Sequence, residues 1–414
     1  MLYYFFRYLE TIGIPGSGMW SYISFRSLLA FMTALLLSWR LGYCFIAYMT
    51  KHHIEENKFS AKIDPVAAKR KYIPSMGGVV IVSALMIACL LFGRLRNIYL
   101  LLMLLTTLWL GFTGFLDDYL KIKRSKNGLA PKWKLLSQLC IGLIVGLTLY
   151  LSPDAVIREN VMSQRTETGT EIVHKSEPIK STITTIPFVK SHNFDYALCG
   201  SQWFGWTAFV FITIFMVWFV SNGVNINDGV DGMAAGNSAI IFVVLGILAY
   251  VSSHIGLASY LNLMYIPGAQ ELVVYTFAMI GALIGFLWHN AHPAKMFMGD
   301  TGSLAIGGAI AVLAVIIHKE LLLPLLCGLL VVELASSALQ TIYSKWGTRH
   351  GRKQRMFKRA PIHDAFRTGY KIEADTKYLF KSITGNNEDQ KVTVRFWIIS
   401  ILLAALTIIS LKIR

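Results

Sequence analysis

The stretch NIYLLLMLLTTLWLGFTGFLDDYLK, residues 97–121, joins a long apolar run to two adjacent carboxylates. The run at 97–116 has about the twenty apolar residues that cross a bilayer as a helix. A charge buried in hydrocarbon costs on the order of several kcal/mol, so Asp117 and Asp118 are expected at the membrane surface, within reach of water or a cation. The stretch therefore predicts a membrane-spanning helix with a polar site at its mouth.

The composition of the whole chain agrees with a membrane protein. Its 414 residues are 55% hydrophobic and 15% charged, whereas a soluble domain has roughly 25% charged residues. Apolar runs of spanning length recur along the chain, so we predict an all-α polytopic membrane protein with about ten transmembrane helices and a single integral membrane domain, residues 1–414. The expected spans lie near 22–47, 75–93, 97–116, 134–151, 204–222, 233–251, 272–289, 303–318, 321–344 and 394–412.

Lysine and arginine are distributed unevenly between the two sides of these spans. Most of them fall in alternate loops, including 48–74, 117–134 and the basic loop 345–393. Since an excess of Lys and Arg marks the cytoplasmic side, we expect these loops inside and both termini outside. The segment 152–203, rich in Thr, Ser and Val, then faces outward and is a candidate for a β-hairpin. The net charge of +16 indicates a basic inner surface for anionic headgroups or substrates, and not nucleic-acid binding.

In this topology, polar motifs from distant parts of the chain all fall on the cytoplasmic face. They are YIPSMGG (72–78), the Asp117–Asp118 pair, SNGVNINDGVDG (221–232), WHNAHPAKMFMGDTGSL (288–304) and FKRAPIHDAFR (357–367). Such a coincidence indicates one shared site at a cytoplasmic cleft.

Each motif also has a structural explanation. The Asp117–Asp118 pair could be a solvated stop signal, Asp228 could be only the N-cap of the sixth span, and Asp300 could cap the eighth span while Ser303 points back. The alternative to a cap is a functional stripe, because polar residues recur every three positions at Asn222, Asn225, Asp228 and Asp231.

Two polar residues of the ninth span also require an explanation. Glu333 and Gln340 are seven residues apart and share a helical face. Polar residues within a span normally face a bundle interior or a cavity, so both a packing role and a site-lining role are open for them.

The residue types indicate phosphate chemistry. Hard carboxylate oxygens without His or Cys clusters suit Mg²⁺, and Mg²⁺ with Lys and Arg suits phosphate groups. Joining two phosphates requires nearby cations, since two unit charges 4 Å apart interact by about 4 kcal/mol at an effective dielectric near 20. The five cysteines form no CxxC pattern, and the chain has no GxxxxGK[ST] loop, which argues against zinc and an ordinary ATP-driven machine.

The ordered set of motifs resembles the polyprenyl-phosphate N-acetylhexosamine-1-phosphate transferases. The resemblance rests on FLDDYLK, NINDGVDG, NAHPAKMFMGDTGSL, the SALQ of the ninth span and VRFWIIS at the last one, and it covers nearly the whole chain. It is closest to the branch whose donor is UDP-N-acetylmuramoyl-pentapeptide. The resemblance implies a usually dimeric enzyme of the bacterial inner membrane, with Mg²⁺ at a cytoplasmic cleft. The donor would pass its phospho-sugar to undecaprenyl phosphate, giving lipid I and UMP for peptidoglycan synthesis.

The same resemblance assigns roles to residues at matching positions. Asp117 and Asp118 match the catalytic acidic pair, Asp300 matches the catalytic Mg²⁺ ligand, and His363 matches the first position of a histidine-rich motif. The positions implied for substrate binding are Arg70, Ser75, Lys121, Lys134, Asn222, Asn225, Asp228, Gly229, Asp231, Asn290, Phe297 and Gln340. Phe297 would offer its ring face to uracil.

The chain departs from the family pattern at three places. The usual TPTMGG is IPSMGG, the usual Thr before DGxDG is Asn227, and the usual PIHHH is PIHDA, which keeps only His363. UDP-N-acetylglucosamine as donor and a non-catalytic relative therefore stay open. A transporter, the alternative from another class, would place ionisable residues near the bilayer midplane, whereas these aspartates cluster at one face.

The lipid acceptor needs little help to become a nucleophile. A phosphate monoester has its second pKa at about 6, so the acceptor is mostly dianionic at pH 7. We therefore expect Asp117 and Asp118 to hold Mg²⁺ and orient the acceptor, and not to act as a general base. A two-step route through an aspartyl-phosphate stays open.

Overall fold

A computed structural model describes residues 1–52, 73–123, 128–158, 162–165, 171–174, 179–189, 193–197, 200–261, 263–350, 353–367, 376–380 and 387–411. Within these ranges the chain is mostly helical. The helices are α1 (Leu2–Thr11), α2 (Ile23–Lys51), α3 (Gly78–Phe92), α4 (Ile98–Lys123), α5 (Pro131–Leu151), α6 (Gln202–Asn227), α7 (Met233–Ser253), α8 (Ile255–Tyr260), α9 (Gln270–Asn290), α10 (Gly299–Ile316), α11 (Leu323–Leu326), α12 (Gly328–Arg349), α13 (Ile362–Phe366) and α14 (Asp389–Ser410).

Nine of the ten expected spans each coincide with one helix of the structure, and the ninth in chain order does not. Eight are long and apolar enough to cross a membrane, namely α2, α4, α5, α6, α7, α9, α10 and α14. The ninth, expected as one helix over 321–344, is instead broken: the segments Glu320–Leu326 and Gly328–Arg349 meet at a bend of 76°. Helix α3 has 15 residues and is therefore only about 22 Å long. The predicted all-α polytopic architecture is confirmed.

Helix α10 lies at the centre of the bundle. Its residues from Thr301 to Ile316 are all buried, and it packs chiefly against α4 and α6. Small residues allow this close packing, as they do between membrane helices in general. A side chain at Gly307 would collide with Ser221 of α6, and one at Gly308 would collide with Leu110 of α4. The glycines of α10 therefore fix the distance of α4 and α6 from the central helix.

One end of the bundle gathers the polar motifs, and we call it the acidic end. Here the C-terminal part of α4 meets the N-terminus of α10, where Asp118 binds Thr301. The C-terminal part of α6 meets α5, and the α6–α7 turn meets the end of α9. Helix α12 carries the segment 354–363 at this same end. Motifs that are far apart in the chain thus meet in space.

The opposite end of the bundle carries the strands of the 152–203 segment. Strands β1 (Met162–Arg165) and β2 (Glu171–His174) pair antiparallel, as do β3 (Ile183–Thr185) and β4 (Asn193–Asp195). A third pair, β5 (Gln354–Arg355) and β6 (Lys377–Tyr378), is parallel and lies at the acidic end. Strand β3 attaches to the end of α10, because the Thr185 N–H donates to the His318 carbonyl at 3.1 Å.

Two buried ionic groups at the opposite end were not anticipated from the sequence. Arg26 of α2 forms a two-pronged ion pair with Glu271 of α9, at 2.7 and 2.8 Å. Lys319, just beyond α10, is fully buried and donates to the Thr185 hydroxyl at 2.5 Å. Burial lowers the pKa of Lys319 to about 8, although the neighbouring Glu320 acts in the other direction. Both contacts fasten helices or strands that are distant in the chain.

Candidate active site

Three carboxylates converge at the acidic end. Asp117 and Asp118 lie within α4, which continues to Lys123, and Asp300 lies in the first turn of α10. Ligand oxygens of the three side chains lie within 4.8 Å of one another. Both α4 aspartates are 0% exposed, so the alternative of a solvated stop signal is wrong. A buried group of like charges requires cations.

Two lysines supply these cations. The Lys121 ammonium is 2.5 Å from Asp117 Oδ2 and 3.2 Å from Asp300 Oδ1. The Lys134 ammonium is 2.9 Å from Asp117 Oδ2 and 2.5 Å from Asp300 Oδ2. Lys121 reaches the aspartates of its own helix because residues three and four apart share a helical face. Three carboxylates and two ammonium groups leave one net negative charge, which suits a divalent cation.

Asp118 differs from its neighbour because its oxygens face the N-terminus of α10. Its Oδ1 accepts from the Asp300 N–H at 3.2 Å, and its Oδ2 accepts from the N–H and the hydroxyl of Thr301 at 3.0 and 2.8 Å. The first N–H groups of a helix lack partners within the helix, and its dipole favours a negative charge there. Asp118 thus caps α10 from another helix and holds Asp300 in place. The alternative in which Asp300 itself caps this helix is wrong, since α10 already begins at Gly299.

The 74–78 segment forms the wall behind this site. The Phe297 N–H donates to the Pro74 carbonyl at 2.9 Å, and the Gly77 N–H donates to the Phe297 carbonyl at 2.8 Å. Gly299 has a φ of 73°, and a side chain there would meet the Asp118 carboxylate. Ser75 is buried, and its hydroxyl has no protein partner among the described residues. The MGG and FMGD motifs therefore form one backbone ladder beside the carboxylates.

The last turns of α6 provide a polar stripe. Asn222 donates to Gln138 of α5 at 3.1 Å, and Gln138 lies one turn after Lys134. Asn225 and Asp228 follow at intervals of three residues, and both are half-buried. Asp228 is the C-cap of α6, whereas the N-cap of α7 is Gly232, so the N-cap alternative for Asp228 is wrong.

Two further residues expected to bind substrate hold the loops together. Asp231 Oδ2 accepts from the Ala294 N–H at 3.2 Å and lies 3.0 Å from His292 Nδ1. Asn290 accepts from the Gly232 N–H at 3.0 Å and donates to the Met296 carbonyl at 2.8 Å. Both side chains thus fasten the α6–α7 turn to the loop before α10, in which Phe297 is half-buried.

The segment 354–363, which we call the strap, lies along one face of α12. Glu333 accepts from the N–H and the Nδ1 of His363 at 3.2 and 3.0 Å, and Ser336 accepts from the Ile362 N–H at 3.1 Å. Gln340 accepts from the Met356 and Phe357 N–H groups at 2.9 and 3.0 Å. The shared face of Glu333 and Gln340 therefore holds the strap in place.

His363 links the strap to the α6–α7 turn. A side chain at Gly229 would collide with the His363 ring, so the two residues are in contact. Asp364, which replaces a histidine of the usual motif, lies 3.2 Å from Arg359 and 3.0 Å from Arg367. The altered motif thus keeps His363, which Glu333 holds in place, and it has an ion-pair network beside this histidine.

The structure brings together most of the residues that the sequence singled out. The aspartates and lysines form one cluster, the α6 stripe adjoins it through Gln138, and the strap adjoins the α6–α7 turn. Arg70 lies outside the described residues. The sequence reasoning missed Thr301 and Gln138, although Thr301 directly follows Asp300 and Gln138 is a polar residue one turn into an apolar span.

Comparison with known proteins agrees with this arrangement. Residues 100–318 match the family described as glycosyl transferase family 4. The chain is 58% identical to a phospho-N-acetylmuramoyl-pentapeptide-transferase of Bacteroides fragilis, 57% to one of Phocaeicola vulgatus and 46% to one of Porphyromonas gingivalis. Each comparison covers 100% of both sequences. The resemblance found in the sequence is thereby confirmed, and the chain belongs to glycosyl transferase family 4.

Proposed function

We propose that this protein transfers phospho-N-acetylmuramoyl-pentapeptide from its UDP-linked donor to undecaprenyl phosphate, which gives lipid I and UMP. Relatives that are 46% and 58% identical over their full length carry the name of this transferase. The observation that carries the proposal is the convergence of Asp117, Asp118 and Asp300 with Lys121 and Lys134 at the end of a membrane helix. At the end of a membrane helix, the phosphate of a lipid in the bilayer would meet the diphosphate of a donor dissolved in water.

The reaction exchanges one phosphorus–oxygen bond for another. An oxygen of the lipid phosphate attacks the phosphorus attached to the sugar, and the bond from that phosphorus to the bridging oxygen of UMP breaks. UMP leaves with the electron pair, so no oxidant or reductant is required. Because phosphoryl transfer depends mainly on positioning and charge stabilisation, the task of the protein is to hold two anions together.

The three aspartates fit a divalent cation of the Mg²⁺ type. Their oxygens lie close enough to share one ion, and the donor set is made of carboxylates, which Mg²⁺ prefers. Asp118 accepts three hydrogen bonds from the N-terminus of α10. Asp117 accepts one backbone hydrogen bond, from the Leu129 N–H, and otherwise faces the ammonium groups of Lys121 and Lys134, whose place a bound cation can take. We therefore assign the ion to Asp117 and Asp300. When bound, the ion would neutralise the donor diphosphate. The two positive charges of the ion would change the net charge of the carboxylate and lysine cluster from negative to positive. Lys121 and Lys134 would then be attracted to the phosphates of the substrates.

We infer that none of the aspartates acts as a general base. The acceptor phosphate is mostly ionised at pH 7, since its second pKa is about 6. Asp117 is already ion-paired with two lysines, and Asp118 is a positioning residue for Asp300. The chemistry is then the direct attack of the acceptor on the donor, with the carboxylates fixing the geometry.

The nucleotide would bind beside the α6–α7 turn. Asn222, Asn225 and Asp228 form a polar stripe toward this turn, and Gly229 lies against His363. Phe297 lies in the loop that Asn290 fastens to the same turn, and its half-exposed ring offers a stacking face for uracil. Arg70, Ser75 and Gln340 complete the proposed binding set, with Gln340 acting through the strap.

The proposal also includes a cellular location and the binding partners of the protein. The acidic end would face the cytoplasm of a bacterium, because its loops are rich in Lys and Arg, and both termini and the 152–203 segment would face outward. The partners would be undecaprenyl phosphate, UDP-N-acetylmuramoyl-pentapeptide, the lipid bilayer and, by family resemblance, a second copy in a homodimer.

UMP release from purified protein with paired donors tests this function. UDP-N-acetylmuramoyl-pentapeptide and UDP-N-acetylglucosamine are each supplied with undecaprenyl phosphate, with Mg²⁺ present or removed by a chelator. We expect release with the first donor only, loss of release without the ion, and recovery when Mg²⁺ returns.

The altered strap motif is the observation that favours the second donor as an alternative. Release with UDP-N-acetylglucosamine alone would establish that alternative. Absence of release with both donors, from protein that retains cooperative thermal unfolding, would identify a non-catalytic relative. The transporter alternative is disfavoured because the acidic cluster lies at one end of the bundle and not at mid-depth.

A further inference from the structure

Gln138 of α5 carries a buried hydrogen-bond donor that the protein leaves unused. The side chain is 1% exposed, and its amide nitrogen has no hydrogen-bond partner within the part of the chain that the structure describes. Buried polar groups in folded proteins nearly always meet a protein atom, a water molecule or a ligand, because a buried donor without an acceptor costs about 1–3 kcal/mol. Since Gln138 lies beside the carboxylate cluster, a ligand of the candidate active site is a candidate partner.

The neighbouring Asn222 determines which end of the Gln138 amide is unpaired. The Asn222 nitrogen donates to the Trp218 carbonyl at 2.7 Å, which fixes the orientation of the Asn222 amide. The same nitrogen donates to Gln138 Oε1 at 3.1 Å. A reversed Gln138 amide would place two nitrogen donors against each other. The unpaired end of Gln138 is therefore its N–H group, which requires an acceptor oxygen.

Gln138 lies one helical turn from Lys134, on the side of the cluster that faces the bilayer interior. Residues four apart share a helical face, and four residues correspond to a rise of about 6 Å. The Lys134 ammonium contacts Asp117 and Asp300, and from Lys134 helix α5 continues into its apolar part. The free N–H group is thus placed for a ligand that reaches the cluster from the membrane.

The two substrates of the proposed function differ in the side from which they reach the cluster. The UDP-linked donor is dissolved in water, whereas the acceptor phosphate is attached to a chain that stays in the bilayer. When the acceptor phosphate contacts Lys134, the part of it nearest the lipid chain is directed toward Gln138. A neutral amide suits this position, because a further charge buried there would cost much more.

We propose that Gln138 binds an oxygen of the acceptor phosphate through its free N–H group. The proposal rests on the function proposed above, whose acceptor is a lipid phosphate. Lys134 is 23% exposed and is held by carboxylates. An entering phosphate would attract the Lys134 ammonium, and movement of this side chain would open a path to the enclosed amide. Asn222 would keep the amide in the orientation that the contact requires.

Two substitutions of Gln138 separate substrate binding from structural support. Gln138→Met loses the N–H group, and Gln138→Glu keeps the oxygen that accepts from Asn222 but replaces the N–H group with a second oxygen that carries negative charge. The KM for undecaprenyl phosphate, measured by UMP release, should rise about tenfold in Gln138→Met, as expected for one hydrogen bond to a charged group. It should rise further in Gln138→Glu, and the KM for the UDP-linked donor should stay at its wild-type value in both variants.

The pH dependence of Gln138→Glu provides an independent readout. A protonated carboxyl group has an O–H donor, so protonation restores a donor at this position. The difference in acceptor KM between Gln138→Glu and the wild type should therefore shrink from pH 8 to pH 6. A structural role alone would not favour the acceptor over the donor in this way.

Binding of the acceptor without turnover is a second measurement. Undecaprenyl phosphate alone should raise the Tm of the wild type, and this rise should be smaller in both Gln138 variants. Ser137→Ala is the matched control, because the Ser137 hydroxyl bonds to Thr113 of α4 at 2.6 Å and has no place in the proposed contact. It should keep the wild-type KM values and the wild-type rise in Tm. If Gln138→Glu does not fold, the comparison of Gln138→Met with Ser137→Ala still decides the question.

Three results would overturn the proposal. These are an unchanged acceptor KM in Gln138→Met, an equal rise of both KM values, or an unchanged rise in Tm with undecaprenyl phosphate. If the wild type releases no UMP but undecaprenyl phosphate raises its Tm in a manner that depends on Gln138, the proposed function fails and the acceptor contact stands.

Discussion

Replacing Asp118 with asparagine would remove a buried charge that faces three donors of α10. The carboxylate is 0% exposed and accepts from the Asp300 N–H and from the N–H and hydroxyl of Thr301. Asparagine keeps one acceptor oxygen, so its amide nitrogen must face at least one of these donors. We expect the variant to be less stable, and we expect Asp300 to be displaced from its place in the cluster.

The size of the effect follows from these contacts. A hydrogen bond to a charged group contributes about 1.5–3 kcal/mol, and a buried donor left without an acceptor costs about 1–3 kcal/mol. A charge at a helix terminus contributes up to about 2 kcal/mol in partly buried geometries. Since asparagine keeps part of the set, we expect a loss of about 3 kcal/mol, which corresponds to a fall in Tm of roughly 3 °C for a chain of 414 residues.

The assay is thermal unfolding in detergent with and without Mg²⁺, alongside UMP release. Asp118→Asn should lower the Tm more than Asp117→Asn does, and should keep part of the rise in Tm that a bound ion produces. Thr301→Val is the matched control, because it removes only the hydroxyl donor and should cost about 1 kcal/mol while most activity remains. A wild-type Tm for Asp118→Asn, with the Mg²⁺ response abolished, would refute the reasoning and make Asp118 a direct metal ligand.

Three further predictions concern charges at the two ends of the bundle. Asp117→Asn should lose UMP release about equally at pH 6 and pH 8, and full recovery at the higher pH would show that Asp117 is a general base. Lys134→Met should bind Mg²⁺ at least about tenfold more tightly, measured from the Mg²⁺ dependence of the Tm, because one ammonium close to Asp117 and Asp300 is removed; an unchanged or weaker affinity would contradict this. The free energy of unfolding should rise between about pH 8 and pH 10. The pKa of Lys319 is about 8 in the folded protein and about 10.4 in the unfolded chain, so the unfolded state binds more protons in this window. A Tm series should show this rise in the wild type and a smaller one in Lys319→Met, and identical slopes would exclude Lys319 as its source.

The spans were predictable because hydropathy and length are properties of a local stretch. All the expected spans except the ninth coincide with a single helix, and the polar motifs meet at one end. The bend at 327 was missed because hydropathy alone is continuous through it, although Pro324 and Gly328, which lie on either side of the bend, are residues that break helices. The burial of Lys319 and Arg26 was also missed, because their partners Thr185 and Glu271 are distant in the chain.

In the candidate site too, the sequence predicted which residues take part, and the structure showed the role of each. The motifs identified the acidic residues, but they could not distinguish Asp117 from Asp118, which are adjacent on one helix. Asp117 faces the two lysines, whereas Asp118 faces the N-terminus of α10. For Glu333 and Gln340 of α12, the sequence left open whether they have a packing role or line a site. The structure shows that both side chains accept hydrogen bonds from the backbone of the strap.

The sequence by itself determined the membrane architecture, the family and the acidic residues of the candidate site, because apolar length and motif order can be read along one dimension. The tertiary structure decided which acid supports a helix and which acids remain for a cation. These outcomes depend on side-chain contacts such as that between Asp118 and Thr301, which are 183 residues apart. Only the packing of α4 against α10 brings these two residues together.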